Sequence, residues 1–562
     1  MRRSTRLFRL TAGVALAALL VNALPAAALA QQALSPLPPA PGDAAPDQGQ
    51  NDPPTRVGRI AQISGAVSFR NQGDTQWSAA SPNYPVISGN SFWTEPAAAA
   101  RLEISDSRIA LAERTELTVN TLDTTGLQAV AAQGETYYHL RDLAPNEAWT
   151  ILTPRGAVRL TAPGRYGIVV GTTEQPTLVT VIDGTAQIDA PNVALTVNAG
   201  QTATITGTDP FQGSIGPAIR TAFLNTRLEA ERPPPAAVPR QILSMPGSED
   251  LAYSGSWAEP PEYGQVWYPP VSPGWVPYRE GHWAYVAPWG WTWVDNAPWG
   301  FAPFHYGRWI EIGGRWAWTP GTVTVAAPPV YAPALVTFIG IGAGVAVGAA
   351  LAAGTIGWVP LAPHEPYHPW YHASPEYVRQ VNVTHVTNIT TINNNVTINN
   401  FANRGAATSA SVAAVTQSRP IQSVAQPVTA QQFAAAHPIV GQQPLRPAPT
   451  TAGVTPAVAH QLNLGPAAVP HPAPGPAIHP QASTGTAARP PLPVLGGPPG
   501  RLPSPRRPTL PHRRPPARRQ GRTPQRCPPA LALRIPARHR RPPCPPYPRH
   551  PNRVTPAPRT LP

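Results

Sequence analysis

The sequence predicts an all-β protein. It has a sandwich or solenoid-like first domain, a second domain of short Trp-rich strands, and a long C-terminal tail without regular structure. Three observations carry this. Short β-branched segments separated by Gly, Asn and Asp recur from Arg56 to Gly207, with no helical period long enough to compete. Eleven of the sixteen tryptophans then crowd between Trp257 and Trp318, interleaved with Gly, Pro and Tyr. Past Arg404 the composition turns to Ala, Pro, Gln, Thr and His, too poor in large apolar side chains to order a chain.

Residues 1–30 read as a secretory signal peptide. Arg2, Arg3, Arg6 and Arg9 give the positive start, Leu10 to Leu24 the apolar run, and Ala28-Leu29-Ala30 the small-x-small cleavage site. Cleavage after Ala30 would place the mature chain in the periplasm or outside a bacterial cell. Residues 31–55 are a Pro/Ala/Gln linker with no hydrophobic period.

The first domain spans residues 56–207. Its strand signals begin at Val57–Ile63 and Gly65–Phe69, continue through Leu102–Ile104, Ile109–Leu111 and Glu116–Val119, and return at Leu178–Ile182 and Ala186–Ile188 around the turn Asp183-Gly184. Residues 208–242 connect it to the second domain, residues 243–404. There a ten-residue echo, Ala287-Pro-Trp-Gly-Trp-Thr-Trp-Val294 and Ala297-Pro-Trp-Gly-Phe-Ala-Pro-Phe304, alternates Trp with small residues as a strand does. Each aromatic can bury about 150–250 Å², so tight hairpins with Trp faces in contact could hold a small domain. Residues 405–562 form the tail.

Taken as an ordered set, Gly65-x-Val67, Trp77, Gly89, Arg101-Leu102, Asp106-Ser-x-Ile109-x-Leu111, Thr115-x-Leu117, Gly134, Thr153-Pro154-x-Gly156-x-Val158, Asp183-Gly184 and Asn198-Ala-Gly200-Gln201 resemble a FecR-type domain. The Trp-rich part resembles the domain of unknown function that often follows exported FecR-like domains. Its landmarks are Met245-Pro-Gly247, Asp250-Leu251, Tyr253, Gly255-x-Trp257, Tyr263-Gly264, Val266-Trp267, Pro303-Phe-His-Tyr-Gly307, Trp358-Val-Pro-Leu361, Pro366-Tyr367 and Tyr371. The resemblance implies a β module used for protein contact. FecR regulators are inner-membrane proteins with a cytoplasmic arm that contacts a sigma factor; this chain opens instead on a cleavable signal, so direct sigma-factor control does not carry over. The uncharged stretch Leu335 to Trp358 has the length of a membrane helix, yet six glycines make it only mildly hydrophobic. The resemblance implies a Gly-rich connection between strands at Leu335–Ile339 and Ile356–Val359.

Charge and cysteine content narrow the function. The formal net charge is +14, but sixteen arginines fall after Gly500, so the remainder carries −2. The basicity belongs to a tail without an aromatic platform, which argues against nucleic acid as partner. All 42 basic residues are Arg, and the break near residue 495 into Arg/Pro runs with stray Cys527 and Cys544 has the look of a shifted reading frame. The folded part has no Cys, hence no disulfide framework and no thiolate metal site.

No Gly-x-Ser-x-Gly, His-Glu-x-x-His or phosphate-binding Gly loop occurs. His364, His368 and His372 have the four-residue spacing of a helical metal face, but Pro366 and Pro369 forbid the helix. His305 reads as one member of an aromatic cluster. The glycosylation-like triplets at Asn382, Asn388 and Asn395 read as an Asn/Thr strand or linker. We therefore expect no cofactor, no metal and no catalysis. The chain reads as an envelope protein that binds a partner, with a signalling accessory role related to FecR regulators as a further possibility. The alternative is peptidoglycan or polysaccharide binding, in which exposed Trp289, Trp291, Trp299 and Tyr306 stack on sugar faces and Arg308, with Arg279 or Arg315, hydrogen-bonds hydroxyls.

Overall fold

The structure, a computed structural model, describes residues 52–233, 238–322, 329–341, 354–385, 400–441, 444–445 and 469–470. The signal peptide, most of the linker, the triplets at Asn388 and Asn395, the connection 342–353 and the Arg/Pro-rich end lie outside the described residues.

The described residues form an all-β fold, as expected. Two nine-stranded sheets face each other in the first unit. Pairing is antiparallel throughout, apart from Gly126–Gln133 beside Ala148–Thr153, which runs parallel. Period-2 alternation decides the faces: Ala148–Thr153 and Thr185–Ala190 bury every second residue. The chain visits the sheets in turn, and four glycines mark places where it crosses from one to the other. Gly65, Gly134, Gly184 and Gly200 lie at φ +72, +88, +86 and +79, where a side chain costs about 1–2 kcal/mol. At Gly184 a Cβ would also strike the Tyr166 hydroxyl. That hydroxyl fixes the corner by donating to Ala162 O (2.7 Å) and accepting from Thr185 N (3.2 Å).

Residues 208–242 are not a mere connection, which corrects the expected boundary. Gln212–Pro217 pairs along Gln201–Thr206 and extends the first sheet. The helix Ala222–Ala230 follows, capped by Thr221, whose hydroxyl accepts from Leu224 N. Leu224 packs on Ala110 and Tyr137 outside that sheet.

The Trp-rich unit contains a hairpin, a four-stranded sheet and a five-stranded sheet. The expected hairpin is Gly281–Val286 against Gly290–Asp295, with Trp283 opposite Trp293 and Tyr285 opposite Trp291. Every residue of Gly290–Asp295 is buried, so both of its faces are covered. In the four-stranded sheet Trp257 lies opposite Trp267, Trp267 opposite Trp318, and Trp318 opposite Trp309. Directly opposed residues share a face, so a row of four tryptophans crosses the whole sheet. One continuous hydrophobic core runs from Val57 through the sandwich and the Trp cluster to Leu445. The two expected domains are therefore parts of one body.

The stretch Leu335 to Trp358 contributes two paired strands, Val336–Gly340 and Thr355–Pro360. No helix among the described residues is long and apolar enough to cross a membrane. The expected tail boundary at residue 404 is overturned. Thr408–Ser411 pairs along Thr355–Pro360, and His437–Ile439 pairs along Val336–Gly340. The intervening short helices bury Ala414, Val415, Ile421 and Phe433. These Ala/Gln/Val residues gave no periodic signal because each element spans only two to five residues. Asn382, expected in an Asn/Thr strand or linker, instead ends the helix Pro375–Asn382.

A chain ending at Arg404 would leave Val336–Gly340 and Thr355–Pro360 paired only with each other, each unpaired on its outer side. Compared with a chain ending at Leu445, it is expected to melt lower or aggregate on expression. Thermal unfolding of the two truncations beside the full chain checks this, and equal melting temperatures would refute the assignment.

Candidate functional site

The most highly organised polar site is the junction between the sandwich and the Trp-rich unit. Arg59, on the strand Gly58–Ser64, is fully buried. Its Nε donates to Glu103 Oε2 (2.9 Å), Nη1 donates to Asn83 Oδ1 (3.0 Å) and to Pro298 O (3.1 Å), and Nη2 pairs with Glu103 (2.8 Å) and with Asp250. Four hydrogen bonds and two ion pairs thus hold the guanidinium.

The sequence builds this locally. Gly247 turns at φ +84, where a Cβ would lie 3.0 Å from Arg59 Cζ. The turn delivers Glu249 and Asp250 side by side at the start of the helix Asp250–Ser254. Asp250 goes to Arg59. Glu249 takes Arg108 and Arg141. Beside them, Glu231 from the end of the helix Ala222–Ala230 meets His139 Nδ1 (2.8 Å), the Tyr137 hydroxyl (3.2 Å) and Arg108 (3.6 Å). Two acids of the Trp-rich unit therefore enter a basic face made by strands of the sandwich.

A second contact lies next to the first. Asn83, at φ +62, donates through Nδ2 to Asp295 O (3.0 Å) and Ala297 O (2.7 Å). Asp295 folds that loop by accepting from Trp293 Nε1 (3.0 Å) and Ala297 N (2.9 Å). Burial opposes the charge at both contacts, with different results. It would raise Glu103, but the guanidinium groups of Arg59, Arg101 and Arg108 outweigh it and hold the carboxyl at about 2. Asp295 has no cation against it, and burial pushes it up to about 8.

The expected glycan-stacking residues are placed differently. Trp289, Trp291, Trp299, Tyr306 and Arg308 are all buried. Trp289 Nε1 donates to the Tyr377 hydroxyl (3.2 Å), and Trp291 Nε1 to Leu445 O (3.0 Å). Trp299 lies against Trp267 and Trp275, while Trp289 and Tyr306 both meet Tyr331. Arg308 donates to Gly307 O, Glu365 O and Asn382 Oδ1 (2.9, 3.3 and 3.0 Å). Packing demand in a disulfide-free core claims these rings, so they form no exposed platform. Of the other arginines, Arg279 bonds Thr408 Oγ1, whereas Arg315 is exposed and lies 4.4 Å over the half-buried Tyr268 ring.

His305 sits in the aromatic cluster, 4.5 Å from Phe301 and 4.8 Å from Tyr331, with Nδ1 against Ala332 O (2.8 Å). Burial pulls it down to about 4, so it is neutral at pH 7. The cavity it lines with Tyr306, Leu335 and Val381 measures about 10 Å³, room for a single water. Among the described residues no group of three or more His, Cys, Asp or Glu could hold a metal ion.

The junction residues were partly visible as landmarks, since Met245-Pro-Gly247 and Asp250 stand out in the sequence. Their partners did not, because Arg59, Arg108 and Arg141 lie 191, 141 and 108 positions upstream of the acids they meet, and Asn83 lies 212 positions upstream of Asp295.

Residues 248–365 match DUF6600, a family of unknown function. The matched DUF6600 segment opens at the acid pair and ends five residues after the strand Thr355–Pro360. It does not include the strands that complete the five-stranded sheet. Two crystal structures of a candidate anti-sigma factor from Parabacteroides distasonis align at 12% and 15% identity, over 22% and 23% of this chain and 57% and 60% of theirs. The chain thus spans less than two thirds of that protein, and at a TM-score of 0.19 for both the likeness carries no argument about fold or role. No curated protein matches the chain.

Removing Arg59 would take away the buried cation between Glu103 and Asp250, leaving Glu103 with Arg101 at 3.3 Å. Arg59→Met is expected to lower stability by about 3–5 kcal/mol, read by denaturant unfolding, whereas Glu249→Gln, nearer solvent, should cost less. Stability should also depend on acid. His282 is buried with neither ring nitrogen hydrogen-bonded, and burial pulls it, like His305, down to about 4. The unfolded chain therefore takes up these protons first, and stability falls as pH drops from about 6.5 towards 4. Melting temperatures over that range should decline, and His282→Leu should flatten the decline.

Proposed function

We propose that this chain is a non-enzymatic binding protein of the bacterial cell envelope, exported by cleavage after Ala30. In this reading a FecR-like module, residues 56–207 with the strand and helix that follow, is joined rigidly to the DUF6600 segment to present one composite protein-binding surface. The observation that carries it is the buried junction. Acids of one unit neutralise cations of the other, and a continuous core runs beneath them. A contact of that kind serves a fixed scaffold. A role as accessory to envelope signalling fits the FecR resemblance, with an envelope protein as the partner class.

Glycan binding is the second reading, and exposure relocates it. Tyr253 is 66% exposed, and Tyr268, which pairs with Ser256, lies beneath Arg315. An exposed tyrosine ring can stack on a sugar face, and an exposed arginine can hydrogen-bond its hydroxyls.

Affinity capture from envelope extract with the intact secreted chain, beside sedimentation with peptidoglycan, separates the two. Enrichment of one envelope protein, unchanged in Tyr253→Ala/Arg315→Ala, supports the protein-binding reading. Retention on peptidoglycan lost in that double variant supports the glycan reading, and neither result would count against both.

A further inference from the structure

The sandwich treats its two ends differently. At one end the outermost strands are Ser78–Ala79 and Pro85–Val86, two residues each, and the neighbouring Asn83 is covered by the Asp295–Ala297 loop. At the other end both sheets finish on six-residue strands, Val193–Asn198 and Gln212–Pro217. Neither contains a charged residue, and both pair with their inner neighbours without a bulge. All six residues of Gln212–Pro217 are exposed. Edge strands are normally blunted by shortness, charge, bulges or a cover, because free N–H and C=O groups recruit another strand. Among the described residues, this edge has none of those four devices.

The ladder shows which groups are free. Ala218 N donates to Gly200 O (2.9 Å), continuing the pairing of Gln212–Pro217 with Gln201–Thr206. Alternate residues of an antiparallel strand bond to the same side. Gly216, Ser214 and Gln212 therefore bond inward, and Gly213, Ile215 and Pro217 turn outward. Proline has no N–H, so the outward donors of this strand are Gly213 and Ile215.

We propose that this edge pairs with the same edge of a second copy of the chain, antiparallel about a two-fold axis at Ser214. In that register Gly213 faces Ile215 of the second copy and Ile215 faces its Gly213, giving four backbone hydrogen bonds and leaving Pro217 outside the ladder. The strand is self-complementary. The residue opposite each Ile215 has no side chain, and no charge is present to repel an identical strand or to select a different one. Ile215 and Ile219 are 40% and 48% exposed, which gives the seam apolar side chains to bury. The second uncharged edge lies directly under the first, since a Cβ on Gly213 would sit 2.7 Å from Val193 Cγ1. Both sheets thus reach the axis together, supplying the contact area that four hydrogen bonds alone would lack. The pairing rests on neither export nor any envelope partner.

Sedimentation velocity of the secreted full chain across concentration tests it. A concentration-dependent dimer is expected, and Ile215→Lys, which sets a charge at an already exposed position, should weaken it by at least about tenfold. Register is tested by Ser214→Cys in a Cys527→Ser/Cys544→Ser background. Ser214 faces its own copy as a close non-hydrogen-bonded pair, so oxidation should yield a disulfide-linked dimer, while Gln212→Cys in the same background should not. A chain that stays monomeric at all concentrations, or a dimer indifferent to Ile215→Lys, would overturn the proposal and leave the edge to a strand from another protein. Circular dichroism of the variants confirms that each keeps its fold.

Discussion

Arg59 is a cation taken entirely out of water, and a cation so placed is tolerated only when its donors are met and its charge is balanced. Glu103 balances it from the next strand, and Asp250 from the other unit; Asn83 and the Pro298 carbonyl take the remaining donors. Much else follows from this one side chain. Gly247 is bare because a side chain would crowd the guanidinium. Glu249 is brought to Arg108 and Arg141 by the turn that brings Asp250 to Arg59. The Asp295–Ala297 loop is held by the same Asn83 that accepts from Arg59.

The Trp-rich unit solves a different problem. Its strands are short and its turns many, so the regular ladder satisfies few backbone groups. Indole N–H groups meet several of the rest. Trp267 donates to Leu251 O, Trp318 to Tyr306 O, and Trp358 to Tyr278 O, at 2.8 to 3.0 Å. Each ring thus fills core volume and ties down a carbonyl of an irregular segment. The indole N–H groups of Trp257, Trp283, Trp309 and Trp370 meet no acceptor, so those rings contribute by packing alone. A side chain so useful inside is not spared for the surface.

The two units share one logic at different ranges. In the sandwich, glycines at positive φ turn the chain from sheet to sheet, and alternation fills the space between. At the junction, ionic pairs replace apolar burial at the point where strands meet a loop. The result is one compact unit whose described surface includes an uncharged sheet edge at Gln212–Pro217 and the exposed ring of Tyr253.

The sequence by itself determined the elements whose signal is local. Period-2 runs from Val57 to Thr206 are the strands, positive-φ glycines such as Gly134 and Gly184 are the corners, and the Trp283–Trp293 hairpin follows from alternation around a Gly turn. Tertiary structure alone decided what depends on distant partners. Thr408–Ser411 is a strand because Thr355–Pro360 offers it an edge, not because its own residues demand one. Gln212–Pro217 is a strand for the same reason. Trp289 and Arg308 are buried because rings and carbonyls from Tyr331, Tyr377, Glu365 and Asn382 close over them. The acid pair at Glu249-Asp250 gains its role only when strands more than a hundred residues upstream present Arg59, Arg108 and Arg141. Local sequence fixes backbone preference and periodicity; burial and charge pairing belong to neighbours that only the folded chain assembles.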